Sequence, residues 1–345
     1  MTITRRDLLA GAAGAAAGFG WLEGSAAASP LDGRNGPTTD GLHTHLRRLP
    51  RVMFGTTPNR LLTEFQGIGG FRCVDWWWTS PDEVAAHSSV TRRQTISNYY
   101  SQNLAICLYV WLAPEHDPRN LAYNVTPQFL VDLDRVIRAY MPLDPANQPP
   151  FRVVLFTEIE NHVPSGDTAY RAQLIQQFLR GVEIIHSVSP TAEVGSGFIA
   201  SSSVEWMAGQ PRSALSDQWG DVIAASDFAS TNMMMDTRHV ENGDMARAAR
   251  AAIGQLGETG KPVHLNHWTT WIVASQKPIV PADYDTQTAL IYLRDIFTDV
   301  SIFELVAQGL RWWGWKADRW IMNASPADRN QILTTLGRYS LSARR

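Results

Sequence analysis

Glu158 and Glu160 stand two residues apart at the end of an apolar run, Phe151-Arg152-Val153-Val154-Leu155-Phe156-Thr157-Glu158-Ile159-Glu160-Asn161-His162. The run reads as a buried strand, Arg152–Phe156, with both carboxylates at its C-terminal end. Strand side chains alternate with a period of two, so residues i and i+2 share a face. Extended backbone through Ile159 puts both carboxylates on one face and Ile159 in packing. Carboxylates so placed repel each other, and one is driven toward its protonated form. A neutral acid beside an ionised one can protonate a leaving oxygen while its partner attacks or activates water, which is what cleavage of a glycosidic bond requires. The competing reading is a pair of solvated loop acids ahead of a helix.

Such a pair needs a scaffold. Short apolar segments recur at Arg51–Gly55, Phe71–Trp76, Ala105–Trp111, Arg152–Phe156, Glu193–Phe198, Phe228–Met235, Pro262–Asn266 and Leu310–Trp315. Amphipathic stretches such as Pro127–Tyr140, Thr168–Ser187, Gly243–Leu256 and Thr286–Phe303 lie between them. Strands alternating with helices over roughly 300 residues predict an α/β fold, a single-domain (β/α)₈ TIM barrel. An open doubly wound sheet is disfavoured, because Gly55-Thr56-Thr57-Pro58 is not a glycine-rich phosphate turn. No internal repeat is visible.

A barrel gathers the C-terminal ends of its strands on one face. The second strand brings Asp75, Trp76 and Trp78 there, and the third brings Trp111. The fourth brings Glu158 and Glu160, the sixth Asn232 and Asp236. The seventh brings Asn266, His267 and Trp268, and the eighth Trp313 and Trp315. Glu158, Glu160 and Asp236 are the expected catalytic carboxylates. The others are expected to bind substrate. The chain has thirteen tryptophans, one of them (Trp21) near its start, and indoles at strand ends can stack on sugar rings. Carboxylates, amides and indoles on one face make a carbohydrate cleft.

Composition excludes other classes. A net charge of −3 offers no footprint for nucleic acid or an anionic membrane. Gly195-Ser196-Gly197 is not a serine-hydrolase elbow. Cys73 and Cys107 fall in neighbouring strands and are expected as buried free thiols, with no metal-ligand spacing. His43-Thr44-His45 has the form of a metal pair but follows no apolar strand, so a metal-dependent hydrolase is a minor alternative. No cofactor is expected. A carbohydrate is the expected partner, and oligomeric state is not legible.

Thr4-Arg5-Arg6-Asp7-Leu8-Leu9, the Ala/Gly-rich run that follows and Ala26-Ala27-Ala28 resemble a bacterial twin-arginine (Tat) export signal with its cleavage site. The apolar run is shorter than the ~20 residues needed to span a bilayer. Residues 1–28 are read as the signal, 29–48 as a flexible leader and 49–345 as the barrel. A secreted or periplasmic protein is expected, with no membrane contact after cleavage.

Two motifs carry a family resemblance. Leu155-Phe156-Thr157-Glu158-Ile159-Glu160-Asn161 resembles the fourth-strand W-N-E-P motif of clan A glycoside hydrolases, with Glu158 at the acid/base position and Thr157 where the family has Asn. Lys261-Pro262-Val263-His264-Leu265-Asn266-His267 resembles their seventh-strand motif, with His267 where the family has its nucleophilic Glu. Glu158-Ile159-Glu160, Met233-Met234-Met235-Asp236 and Trp313 or Trp315 also resemble the layout of chitinase-type barrels. The resemblance implies a glycosidase whose acid is Glu158. With no carboxylate at His267, its partner falls to Glu160 or Asp236 and inversion is expected. A barrel that binds polysaccharide without cleaving it is the alternative.

Replacing Arg5 and Arg6 together with lysine should leave the precursor in the cytoplasm of a Tat-competent host, measured by fractionation and immunoblot. Full export of the double variant would remove the twin-arginine reading.

Overall fold

Apolar runs separated by turns form nine strand segments: β1 Met53–Thr56, β2 Phe71–Trp78, β3 Ala105–Val110, β4 Phe151–Leu155, β5 Glu193–Gly195, β6 Gly197–Phe198, β7 Ala229–Asp236, β8 Val263–Trp271 and β9 Leu310–Trp315. The computed structural model describes residues 52–58, 71–113, 117–198, 213–236, 244–271, 294, 296–315 and 324–340. All of these fall in the compact unit Arg48–Arg345. The segments pair in parallel in the order β5-β4-β3-β2-β1-β9-β8-β7-β6. The two ends of that order, β5 and β6, are separated in the chain only by Ser196. They are one broken stave, and the covalent chain carries the sheet round into an eight-staved (β/α)₈ barrel.

The break departs from the single strand Glu193–Phe198 that the apolar pattern predicts. Ser196 stands between the pairing of β5 with β4 and that of β6 with β7. Ser230 donates to its carbonyl at 2.7 Å. Below the break, Asp227 bridges to β5: its amide donates to the Val194 carbonyl (2.7 Å) and its Oδ2 accepts from the Val194 amide (2.8 Å).

Helices α1 Val90–Ser101, α2 Pro127–Tyr140, α3 Thr168–Val188, α4 Ser213–Ala225, α5 Asp244–Gly257, α6 Asp299–Ala307 and α7 Pro326–Tyr339 alternate with the strands. α2 shows why such a segment is helical. Thr126 caps it by accepting from the Phe129 amide, Pro127 opens its first turn, and Phe129, Leu133, Val136, Ile137 and Tyr140 recur on one buried face. Each such side chain contributes about 1.5–3 kcal/mol on burial. The predicted helix Thr286–Phe303 is not continuous. Thr298 starts a fresh one by capping the Ser301 amide, and Ile296 and Phe297 before it are buried. Residues 272–293 lie outside the described residues. No helix among the described residues is long and apolar enough to cross a membrane.

The strands' period of two sorts side chains into two cores. Outward residues such as Phe54, Val74, Ile106, Leu108, Val153 and Leu155 pack under the helices. Inward residues, among them Met53, Cys73, Cys107, Tyr109, Val154 and Trp312, fill the barrel. Both cysteines are buried free thiols, as expected. Near the start of β4, the buried Arg152 pairs with Glu193 at 2.7 Å.

Gly314 lets β9 lie close against β8: a Cβ there would sit 2.1 Å from the Asn266 carbonyl oxygen. Gly314→Ala should therefore lower stability by about 3 kcal/mol or more, as overpacking against backbone does. Gly254→Ala in α5, where the nearest atom is 3.7 Å away, should be neutral or stabilising. Urea denaturation of both variants measures the contrast.

Candidate active site

Extended geometry ends before the carboxylates. β4 stops at Leu155, and Phe156 (φ 55°) and Glu158 (φ 58°) both adopt positive φ on either side of Thr157. A short 3₁₀ turn, Ile159–His162, follows. The left-handed residues cancel the period of two, so Glu158 and Glu160 do not share a strand face as the sequence pattern predicts. Glu158 is buried, 2% exposed, while Glu160 sits half-buried on the turn. Left-handed backbone costs a non-glycine residue roughly 1–2 kcal/mol, so neighbouring contacts must hold this turn. The Thr157 amide donates to the Val110 carbonyl (2.9 Å), extending the pairing with β3, and Ser196 donates to the Phe156 carbonyl (3.3 Å).

Glu158 is held at both oxygens. Asn161 Nδ2 donates to Oε2 at 2.9 Å, and Asn232 Nδ2, from β7, donates to Oε1 at 3.1 Å. A second polar chain runs beside this one. Tyr109 donates to the Asn266 carbonyl (2.6 Å), Asn266 Nδ2 to Ser230 Oγ (2.7 Å), and Ser230 to the Ser196 carbonyl. Buried acceptors remain over: Asn232 Oδ1, Asn266 Oδ1 and Thr157 Oγ1 have no protein partner among the described residues. Buried polar atoms are normally paired, so these three suit a polyhydroxylated ligand or ordered water.

Asp75 lies between Cys73 and Trp77 on the inward face of β2 and is 4% exposed. Burial pushes its carboxyl well above the usual range, opposed by a hydrogen bond with the Cys73 thiol and by the Arg152 charge. Burial likewise raises the Cys73 and Cys107 thiols, which stay protonated.

The tryptophans divide differently from the expectation. Trp76, Trp78 and Trp313 belong to the helix-facing core rather than the barrel mouth. Trp76 packs on Tyr99 and Tyr140 with the Arg92 guanidinium 3.8 Å above it. Trp78 is fully buried, stacks on Phe129 and donates to the Ser80 carbonyl at 2.7 Å. Trp313 packs on Phe297. Three consecutive indoles hide the phase of the strand, so sequence cannot say which faces in. Trp77 does, stacked on Tyr109 with centroids 4.3 Å apart, and Trp111 meets it edge-on at 5.7 Å and 73°. Trp77 stands among the indoles at the end of the second strand but not among the expected binding residues, and neither does Tyr109; the runs Trp76-Trp77-Trp78 and Ala105–Val110 offer no polar/apolar alternation to single them out.

Asp236 and Trp315 end β7 and β9, whereas β8 runs on to Trp271 past the expected end at Asn266, so His267 and Trp268 lie in its middle. All four side chains lie outside the described residues, as do His43 and His45 entirely. Among the described residues no group of three or more His, Cys, Asp or Glu is placed to hold a metal ion.

No protein-family model and no curated sequence matches the chain. Solved structures do. The GH26 beta-mannanase BoMan26A from Bacteroides ovatus superposes with a TM-score of 0.56 at 12% identity, covering 89% of this chain and 95% of that one. Xylanase XynB from Paenibacillus barcinonensis gives 0.51 at 11%, covering 77% and 84%. Xylanase B from Clostridium stercorarium F9 gives 0.51 at 11%, covering 77% and 86%. The fold is that of clan A-like glycoside hydrolases. The barrel fold that the two motifs implied is thus found, and at such identities the likeness is one of fold.

The layer assignment has a stability signature. Trp78→Ala should cost about 3–5 kcal/mol, as emptying a core indole site does, and half-buried Trp77→Ala less than half as much. Urea denaturation of the two variants decides it, and equal losses would place both indoles in one layer.

Proposed function

We propose that the chain is an exported glycoside hydrolase that cleaves O-glycosidic bonds of a poly- or oligosaccharide by carboxylate acid/base catalysis, without a cofactor. The observation that carries this reading is Glu158. It is a buried carboxylate at the C-terminal end of β4, fixed at both oxygens by amides from two staves, in a barrel shared in fold with a beta-mannanase and xylanases. Mannan and xylan are therefore the first substrates to test.

In the proposed step Glu158 gives its proton to the leaving oxygen as the C–O bond breaks. A water supplies hydroxide to the anomeric carbon and its remaining proton to a second carboxylate, Glu160 or Asp236. The separation that leaves room for that water is ~6.5–9.5 Å and gives inversion. Side-chain amides suit a group that cycles its proton. Asn161 and Asn232 donate to the carboxylate, and an amide turned over presents its oxygen to the protonated acid. Trp77 and Trp111 form a right-angled aromatic corner on which a pyranose face can stack, and the three spare acceptors meet hydroxyls.

His267, standing where the related motif has Glu, favours a second reading: a barrel that binds polysaccharide and has lost its chemistry. One experiment separates the two. Glu158→Gln keeps the shape and removes the proton, so hydrolysis of natural glycosides should fall about 10²–10⁴-fold while binding persists. Aryl glycosides with activated leaving groups should lose much less. Trp77→Ala should weaken oligosaccharide binding about tenfold, the scale of one aromatic contact. Full activity in Glu158→Gln overturns the catalytic assignment. Binding without turnover in the parent protein selects the second reading.

A further inference from the structure

His162 is buried, with no exposed surface, and is absent from the chemistry proposed above. Its two ring nitrogens do different things. Nε2 lies 3.0 Å from the Thr157 carbonyl, which can only accept, so Nε2 carries the hydrogen. Nδ1 lies 3.1 Å from Asn124 Nδ2, which can only donate, so Nδ1 accepts. The Asn124 amide cannot turn over without loss, because Nδ2 also donates to the Leu112 carbonyl at 3.0 Å. The network therefore selects one neutral tautomer. Burial supports it by pushing the imidazole down to about 4, against the opposing effect of the Thr157 bond.

The residue so fixed sits against the strained turn. Thr157 lies between the two left-handed residues, Phe156 and Glu158. The His162 ring meets Phe156 edge-on at 5.6 Å, and Phe156 also stacks on Phe129 at 5.1 Å. Strained backbone persists only where surrounding contacts over-determine it. We propose that His162 is a positioning residue. Its Nε2–H bond to Thr157 and its ring contact with Phe156 hold the left-handed turn that aims Glu158 at Asn232, and Asn124 anchors it to the segment that follows β3. This rests on the assignment of Glu158 as the acid, and it adds a residue that acts only through Glu158.

Two variants divide the roles of the ring. His162→Phe keeps its bulk against Phe156 and loses both hydrogen bonds. His162→Gln offers one donor and one acceptor close together, as the neutral imidazole does. On natural glycosides His162→Phe should lower kcat about 30-fold with KM within twofold, and His162→Gln should stay within fivefold of the parent. In a Glu158→Gln background His162→Phe should cost less than twofold more, because residues acting as one unit are not additive. Equal fold-losses in both backgrounds would make His162 merely structural and overturn the proposal, as would full activity in His162→Phe. Amide exchange at Thr157, read by NMR, needs no turnover. It should speed at least tenfold in His162→Phe and stay near the parent in His162→Gln. Unchanged exchange in His162→Phe overturns the clamp even if Glu158 proves catalytic. Faster exchange with an unimpaired Glu158→Gln keeps the clamp and rejects the acid.

Discussion

The hydrogen bond between Asn232 and Glu158 joins residues 74 positions apart in the chain, and it exists because the sheet closes on itself. In an open sheet with the observed order, β4 and β7 lie on opposite wings. Closure through Ser196 brings them to either side of one broken stave. The same closure separates an inside from an outside, which decides for every strand which alternate residues become core under helices and which fill the barrel. The site depends on that division more than on any single contact.

The seam is where closure is most demanding. At Ser196 the chain passes from pairing with β4 to pairing with β7, and its buried carbonyl needs a donor. Ser230 supplies it. That hydroxyl also accepts from Asn266, whose carbonyl receives Tyr109. The hydrogen bonds that mend the seam are therefore continuous with those that fix the polar mouth. Buried networks of this kind specify one arrangement, because a half-satisfied member costs the desolvation of its partner.

Inside the barrel, polar groups are kept neutral or paired. Asp75 and the two thiols are driven toward their protonated forms by burial, and Arg152 is matched by Glu193. Charge in low dielectric is costly unless compensated. Glu158 is the buried carboxylate at the mouth, with an amide on each oxygen. The turn that carries it spends conformational strain at Phe156 and Glu158 to place that carboxylate, and neutral His162 joins Val110 and Ser196 in holding the strain in check.

The sequence by itself determined the barrel, because eight apolar segments alternating with amphipathic ones are a local pattern: burial is periodic at two for strands and near four for helices. It also determined that Glu158 stands at the end of β4, that the cysteines are buried, and that Asn232 and Asn266 lie on strands facing the site. Tertiary structure alone decided three things. It set the phase of Trp76-Trp77-Trp78, since consecutive residues of one type carry no alternation and only packing against Phe129 or Tyr109 chooses the face. It broke the pairing of Glu158 with Glu160, since left-handed backbone at non-glycine residues is held by distant contacts that no local pattern reports. It gave His162 and Asn124 their role, since a hydrogen bond across 38 residues follows from where the short helix Arg119–Asn124 and the turn Ile159–His162 meet on the finished barrel.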